Sequence, residues 1–128
     1  MIRIGDLTLE LVPTGRFRLD GGAMFGVVPK TLWSRVSAPD EQNRIDLALN
    51  CLLVRTPAKT LIVETGMGEK WGPKDRKIYA LESRAGLVEE LVRRGVAPGS
   101  VDTVILTHLH FDHAGGSTVA DERGDIVP

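Results

Sequence analysis

The chain changes its hydrophobic period twice. Apolar side chains alternate or cluster over residues 2–4 and 7–12, on either side of Gly5-Asp6. That pattern predicts a β-hairpin closed by a two-residue turn. Pro13-Thr14-Gly15 breaks the run, and Arg16-Phe17-Arg18-Leu19 alternates again as a second short strand. Asp20-Gly21-Gly22 punctuates the chain. The next stretch, residues 23–29, is apolar and glycine-bounded, and such short runs do not reveal their structure. Pro29 can open a helical turn at Lys30-Thr31-Leu32-Trp33, because proline is tolerated at the start of a helix. Residues 37–43 are polar and carry a proline, so they read as a loop.

Residues 45–56 form the longest apolar stretch, separated by Pro57-Ala58-Lys59 from a second run over 60–64. Two strands around a short turn fit this arrangement. Thr65-Gly66-Met67-Gly68-Glu69 then leaves the sheet, with glycines that permit unusual backbone angles. From Ser83 the period becomes helical. Leu87, Val88, Leu91 and Val92 should form one buried stripe, with Glu89, Arg93 and Arg94 in solvent. Ser83 is the expected N-cap and Gly95 the expected stop. Pro98-Gly99-Ser100 is a turn, and residues 103–107 read as a buried strand. The order is β-rich, then helix, then strand, which makes a mixed α/β chain.

Length and charge narrow the choices. A chain of 128 residues is one modest domain, and 42% apolar residues suffice for a core. The formal net charge of −1 leaves no electrostatic footprint for nucleic acid. The single cysteine, Cys51, excludes an internal disulfide; amid apolar neighbours it packs as a small hydrophobe. The N-terminus has an acid by residue six and no apolar signal segment, and no window approaches a membrane span. A cytoplasmic protein without membrane partners is the expectation.

All three histidines fall in one decapeptide, Thr107-His108-Leu109-His110-Phe111-Asp112-His113-Ala114-Gly115-Gly116, behind the apolar run Val104-Ile105-Leu106. Neutral imidazole and carboxylate are ligands for zinc, iron and manganese. On an extended backbone residues two apart point the same way, so His108 and His110 can face one metal from the mouth of a strand. Asp112 and His113 follow where the chain turns, and there could face a second ion. The competing reading is a polar loop whose histidines only hydrogen-bond.

This H-x-H-x-D-H pattern after a hydrophobic strand resembles the metal-binding signature of the metallo-β-lactamase fold superfamily. The resemblance implies that His108 and His110 bind one metal, and Asp112 and His113 the other. Val63-Glu64-Thr65-Gly66 stands where that family has Asp-Thr-Gly at a strand end, its aspartate supporting the metal site from behind the ligands. Here Glu64 is one methylene longer; it either takes up that role from a shifted backbone or faces solvent. Residues 19–25 resemble the lactonase-like branch, where this segment lies beside the substrate pocket, and they also read as ordinary core and turn.

The resemblance implies the N-terminal half of an αββα sandwich, with residues 1–128 forming a partial domain. The family places another histidine, a bridging aspartate and a final histidine after the signature. Only fifteen residues follow His113, with no histidine among them. One sheet face should therefore stay apolar and uncovered, awaiting a C-terminal half or a partner chain.

The expected function is a metal-dependent hydrolase with two zinc ions, iron or manganese being possible alternatives, acting on a lactone, an ester or a similar bond in a small molecule. Asp112 would be catalytic as well as a ligand, passing a proton to the leaving group. The alternatives are a phosphodiesterase, a mononuclear-iron oxidoreductase, or a non-catalytic metal-binding half-domain.

Overall fold

The computed structural model describes residues 1–82 and 86–128. Five strands form one sheet in sequence order: β1 (Ile2–Ile4), β2 (Leu7–Asp20), β3 (Arg44–Arg55), β4 (Thr60–Val63) and β5 (Thr103–Ile105). The first four pair antiparallel, and β5 joins β4 in parallel. Two short helices, α1 (Gly21–Phe25) and α2 (Lys30–Trp33), lie between β2 and β3. Next come α3 (Pro73–Ile78) and α4 (Leu87–Arg93), both before β5, and α5 (Phe111–Ala114) after it. A two-stranded ribbon, β6 (Val119–Ala120) with β7 (Ile126–Val127), closes the chain. The hairpin is as expected: Ile4 pairs with Leu7 across Gly5-Asp6.

Pro13-Thr14-Gly15 does not end the strand. β2 runs through it as a bulge, with Pro13 opposite Asn50 and Gly15 opposite Leu49, so Thr14 is the extra residue. The reason is parity. Leu7, Leu9 and Leu11 share one face, whereas Phe17 and Leu19, also odd-numbered, must join Val12 on the other. One inserted residue makes that switch without breaking the ladder.

The face so assembled is the covered one. Val12, Cys51, Leu53 and Ile62 are buried beneath Leu91 and Val96, with Leu87 packed against them. Farther along, Phe17 and Leu49 are buried with Met67, joined by Trp71, Tyr79, Leu81 and Phe111. Burial pushes the Cys51 thiol up to about 11, which keeps it protonated and unreactive.

The opposite face carries Leu11, Leu52, Val63 and Ile105 as one row across four strands, and Leu9, Val54 and Leu61 beside it. None of these side chains is buried, and Leu11 and Ile105 are 57% and 45% exposed. This is the open apolar face that the sequence led us to expect. It also corrects two expectations. β5 is shorter than residues 103–107, and it is half-exposed rather than buried: no second layer lies over Ile105, and Val104, beside Ile62 on the other face, is 51% exposed at the sheet edge. In α4 the row Leu87–Leu91 meets the sheet, but Val88 and Val92 are each 58% exposed. A lone helix on one sheet buries a single row; the next row around the cylinder has nothing to touch.

Arg94 is likewise not in open solvent, since it bridges Glu10 and Glu90. The helix stop is as expected: Gly95 (φ 71°) donates to Val92 O and Val96 to Leu91 O, and Val96 then packs beside Leu91. The expected cap at Ser83 lies outside the described residues.

Leu53→Ala should cost about 2–5 kcal/mol in urea unfolding, because its side chain is fully buried in the middle of the sheet. An unchanged midpoint would show that this layer is not the core.

A second expectation concerns pH. Asp40 ties the loop before β3 to the sheet. Burial raises its pKa, but the Arg44 backbone and guanidinium, the Gln42 backbone and the Arg18 guanidinium outweigh this and hold it at about 2. A depressed folded-state pKa stabilises the fold above the usual carboxylate value, and the gain disappears as pH falls toward 2. Between about pH 4 and pH 2, Asp40→Asn should therefore lose less stability than the parent chain in acid-unfolding curves. Parallel curves would contradict this.

Candidate metal centre

The site forms where β4 and β5, neighbours in parallel, both end. β4 stops at Val63, and Glu64 adopts a left-handed backbone (φ 67°) that costs a non-glycine residue of order 1–3 kcal/mol. Two contacts hold it there. Glu64 N–H donates to Ile105 O at 2.8 Å, and Glu64 Oε1 accepts from Thr107 N–H at 2.9 Å. The residue is 8% exposed. It is therefore not the solvent-facing glutamate that the sequence left open.

From there the 64–70 and 107–118 segments close on each other. Thr65 N–H and Oγ1–H both donate to His113 O, at 2.8 and 3.0 Å. Gly116 N–H donates to Gly66 O at 2.9 Å. Lys70 Nζ donates to Gly115 O and Thr118 O, and burial lowers the pKa of this ammonium. A Cβ on Gly116 would collide with the Thr65 carbonyl, and one on Gly115 with the Met67 carbonyl. Both glycines are there because backbone meets backbone.

His110 is extended (φ −65°, ψ 150°), and the chain turns at once into α5, which carries Asp112 and His113. Phe111, between the ligand candidates, points into the aromatic group of Phe17, Trp71 and Tyr79, with ring centroids 5.1–6.1 Å away. This anchors the motif from below. The rings of His108 and His110 lie 4.6 Å apart edge to face, and those of His108 and His113 4.0 Å apart.

Thr107 Oγ1 lies 3.0 Å from His108 Nδ1. His113 Nδ1 is 3.3 Å from Glu64 Oε2, and its Nε2 is 3.3 Å from Asp112 Oδ2. Among the described residues, Glu64, His108 and His113 each place one ligand atom within 4.8 Å of the others. His110 and Asp112 stand beside this group.

Burial raises the pKa of the Glu64 carboxyl, but hydrogen bonds from Thr107 and the nearby His113 and His108 outweigh it, and the carboxyl lies below its ordinary value. Its Oε2 is buried without a hydrogen-bond partner. An ionised, buried, orphaned oxygen beside two imidazoles is a donor set that suits a divalent cation. The sequence did not single out Lys70 or the Trp71–Tyr79 pair. Lys70 and Trp71 lie in a stretch without hydrophobic period, and only the fold brings them under the motif.

Comparison with known proteins gives the family. The metallo-beta-lactamase superfamily model matches residues 44–128, and the chain belongs to that superfamily. An N-acyl homoserine lactonase of Bacillus sp is 31% identical over 119 residues, 85% of this chain and 43% of that protein. A solved structure described as a probable metal-dependent hydrolase from Staphylococcus aureus is 36% identical with a TM-score of 0.83, covering 90% of this chain and 42% of that one. AidC, a dizinc quorum-quenching lactonase solved with a product, N-hexnoyl-L-homoserine, is 29% identical with a TM-score of 0.64, covering 98% and 40%. The chain thus spans less than half the length of these relatives. The five-stranded sheet with its helices is one α layer and one β layer of the superfamily's αββα sandwich. No helix among the described residues is long and apolar enough to cross a membrane.

Gly116→Ala should destabilise the chain by about 1–3 kcal/mol, by forcing the two loops apart. Gly99→Ala, where a Cβ meets open space, should be close to neutral. Thermal unfolding of the two variants side by side checks this, and equal melting temperatures would refute the interlocked-loop account.

Proposed function

We propose that this chain is the metal-binding half of a zinc-dependent hydrolase that opens a lactone ring or a similar ester in a small molecule. The supporting observation is the convergence of the histidines and Glu64 at the ends of β4 and β5, in a superfamily member whose curated relatives include N-acyl homoserine lactonases. In the complete domain His108 and His110 would hold one ion, and Asp112 and His113 the other. Bound there, the ions would polarise the carbonyl and bring the pKa of a water to about 7.

The chain's own residues supply order. Thr107 fixes the His108 ring, Thr65 and Lys70 fix the loop carbonyls, and Phe111 locks the motif onto the core. Asp112 moves the proton. As the water oxygen bonds to the carbonyl carbon and the ring C–O bond breaks, the water's proton passes through Asp112 to the departing oxygen. A carboxylate beside a cation favours its ionised form, so an ion held close to Asp112 would oppose this proton uptake.

The open sheet face and the two ligands per site lead to one expectation. The 128-residue chain alone should associate through that face and should not turn over lactone. Supplied with the remaining half of a superfamily domain, in cis or as a separate chain, it should hydrolyse an N-acyl homoserine lactone. His110→Ala should then lower kcat/KM by more than the roughly 10–100-fold typical of losing a supporting group. Product chromatography and sedimentation velocity read the two halves of this expectation. A monomeric 128-residue chain that holds two zinc ions and hydrolyses the lactone would overturn it.

A further inference from the structure

We infer that the segment between β2 and β3, which carries α1 and α2, is a docking surface for a lipid membrane with anionic headgroups. The inference is independent of the metal chemistry proposed above.

The first observation is apolar exposure. Met24, Val27, Val28, Leu32 and Val36 fall within thirteen consecutive residues and are 47%, 100%, 42%, 52% and 83% exposed. Single exposed apolar side chains are ordinary, but a group of them marks a contact surface. These five are outward because the inward places are taken. Trp33 is buried against Gly21 and Ile45, where glycine leaves room for its ring, and Phe25 stacks on it with centroids 5.1 Å apart. A surface helix usually turns polar residues outward. Here both sides are apolar, and one of them is left in solvent.

The second observation is position. Ile45 stands opposite Leu19, which packs with Phe17 and Leu49 on the covered face of the sheet. Trp33 and the two helices it joins are therefore seated on that side. A second layer over Leu11 and Ile105 lies on the other side, so completing the sandwich buries the far face and not this segment. The segment is also an overhang. β4 ends with Val63 opposite Leu52, whereas β3 begins at Arg44. The β2–β3 hairpin thus projects past β4 at the end of the sheet where the histidines lie, with α1 and α2 at its tip.

The third observation is charge. Residues 21–39 carry Lys30 and Arg35 and no acid. Lys30 Nζ sits 5.9 Å from the centroid of the Trp33 ring, which holds this cation beside the apolar group. Asp20 and Asp40, which bound the stretch, are taken up by Ala23 N–H and Asn43, and by Arg18 and Arg44. Apolar side chains among cations suit an anionic lipid surface, where the former enter the acyl boundary and the latter meet the phosphates. A second copy seated face to face would instead set Lys30 and Arg35 against the same two cations. Such a contact needs exposed side chains and no spanning length.

The test is flotation of the 128-residue chain with two kinds of vesicle, phosphatidylcholine alone and equal parts phosphatidylcholine and phosphatidylglycerol. Binding should be at least about tenfold tighter to the mixed vesicles and should weaken as salt is raised. Val27→Asp with Val36→Asp should reduce it at least about tenfold, and so should Lys30→Glu with Arg35→Glu. All four side chains are exposed, so the variants should fold, and circular dichroism checks this. Leu11→Asp, on the open face of the sheet, should leave vesicle binding unchanged.

No binding to the mixed vesicles, or equal binding to both kinds, would overturn the inference. Binding lost in Leu11→Asp but kept in Val27→Asp with Val36→Asp would also overturn it, because the open sheet face would then be the contact. Binding lost once the chain is completed with the remaining half-domain would show that this half covers the segment, and would overturn it too. If Val27→Asp with Val36→Asp separates copies of the chain and leaves vesicle binding unaltered, the segment is an interface between copies and the inference fails.

Discussion

The structure depends on one closure, between the segment that leaves β4 and the segment that leaves β5. Parallel neighbours end at the same edge of a sheet, so their loops meet. Here they meet backbone to backbone. Glu64 N–H reaches Ile105 O, Thr65 N–H reaches His113 O, and Gly116 N–H reaches Gly66 O. Each pair satisfies groups that would otherwise be buried unpaired. The Glu64 side chain extends the same ladder by taking Thr107 N–H. The left-handed backbone at Glu64 is the strained element of this closure. It is tolerated because contacts at both its backbone and its carboxylate over-determine it.

The bulge in β2 serves the same closure from the other side. Thr14 is the residue without a partner in the ladder, and its hydroxyl donates to Leu49 O. Its side chain also sits where a Cβ on Gly66 would be, which is one reason for glycine there; the other is a φ of 69°. A single inserted residue thus turns Phe17 and Leu19 toward the core and presses the strand against the loop that carries Glu64 and Thr65. Bulges beside functional sites commonly re-aim side chains in this way.

Much of this was legible in the sequence. The alternation over residues 2–12 and 45–64 announced the hairpin and the central strands, and Gly95 announced the end of α4. What the pattern lacked was the neighbour on the far side. Val88 and Val92 carry a sound helical period, and β5 a sound apolar run. Period records which side chains can share a face, not how many layers cover it. Pro13-Thr14-Gly15 read as a break because proline lacks a donor and glycine loosens the chain. A bulge accommodates both within a continuing strand. At the site, residue types named the histidines and Asp112, and a displaced motif drew attention to Glu64. Its burial and orientation follow from a left-handed backbone that no side-chain pattern encodes. Lys70 and the Trp71–Tyr79 pair carried no signal, since they matter only through what they touch.

The placement of the candidate ligands has a consequence for stability. β5 has three residues, and both its large apolar side chains are about half exposed. Its hold on the sheet comes from three pairs with β4 and from the loop closure beyond them. Glu64 belongs to the end of β4, and the histidines follow β5. The backbone closure links this edge of the sheet to its interior, at the point where the two segments meet. Ions that bind only the folded state add their binding free energy to folding, about 2.7 kcal/mol at a hundredfold excess over the dissociation constant. That is comparable to burying one large apolar side chain. A cation bound at this closure would therefore also support the strand that leads to the histidines. The open face of the sheet, with Leu11 and Ile105 in its outer row, gains nothing from the ion and depends on a second layer for its burial.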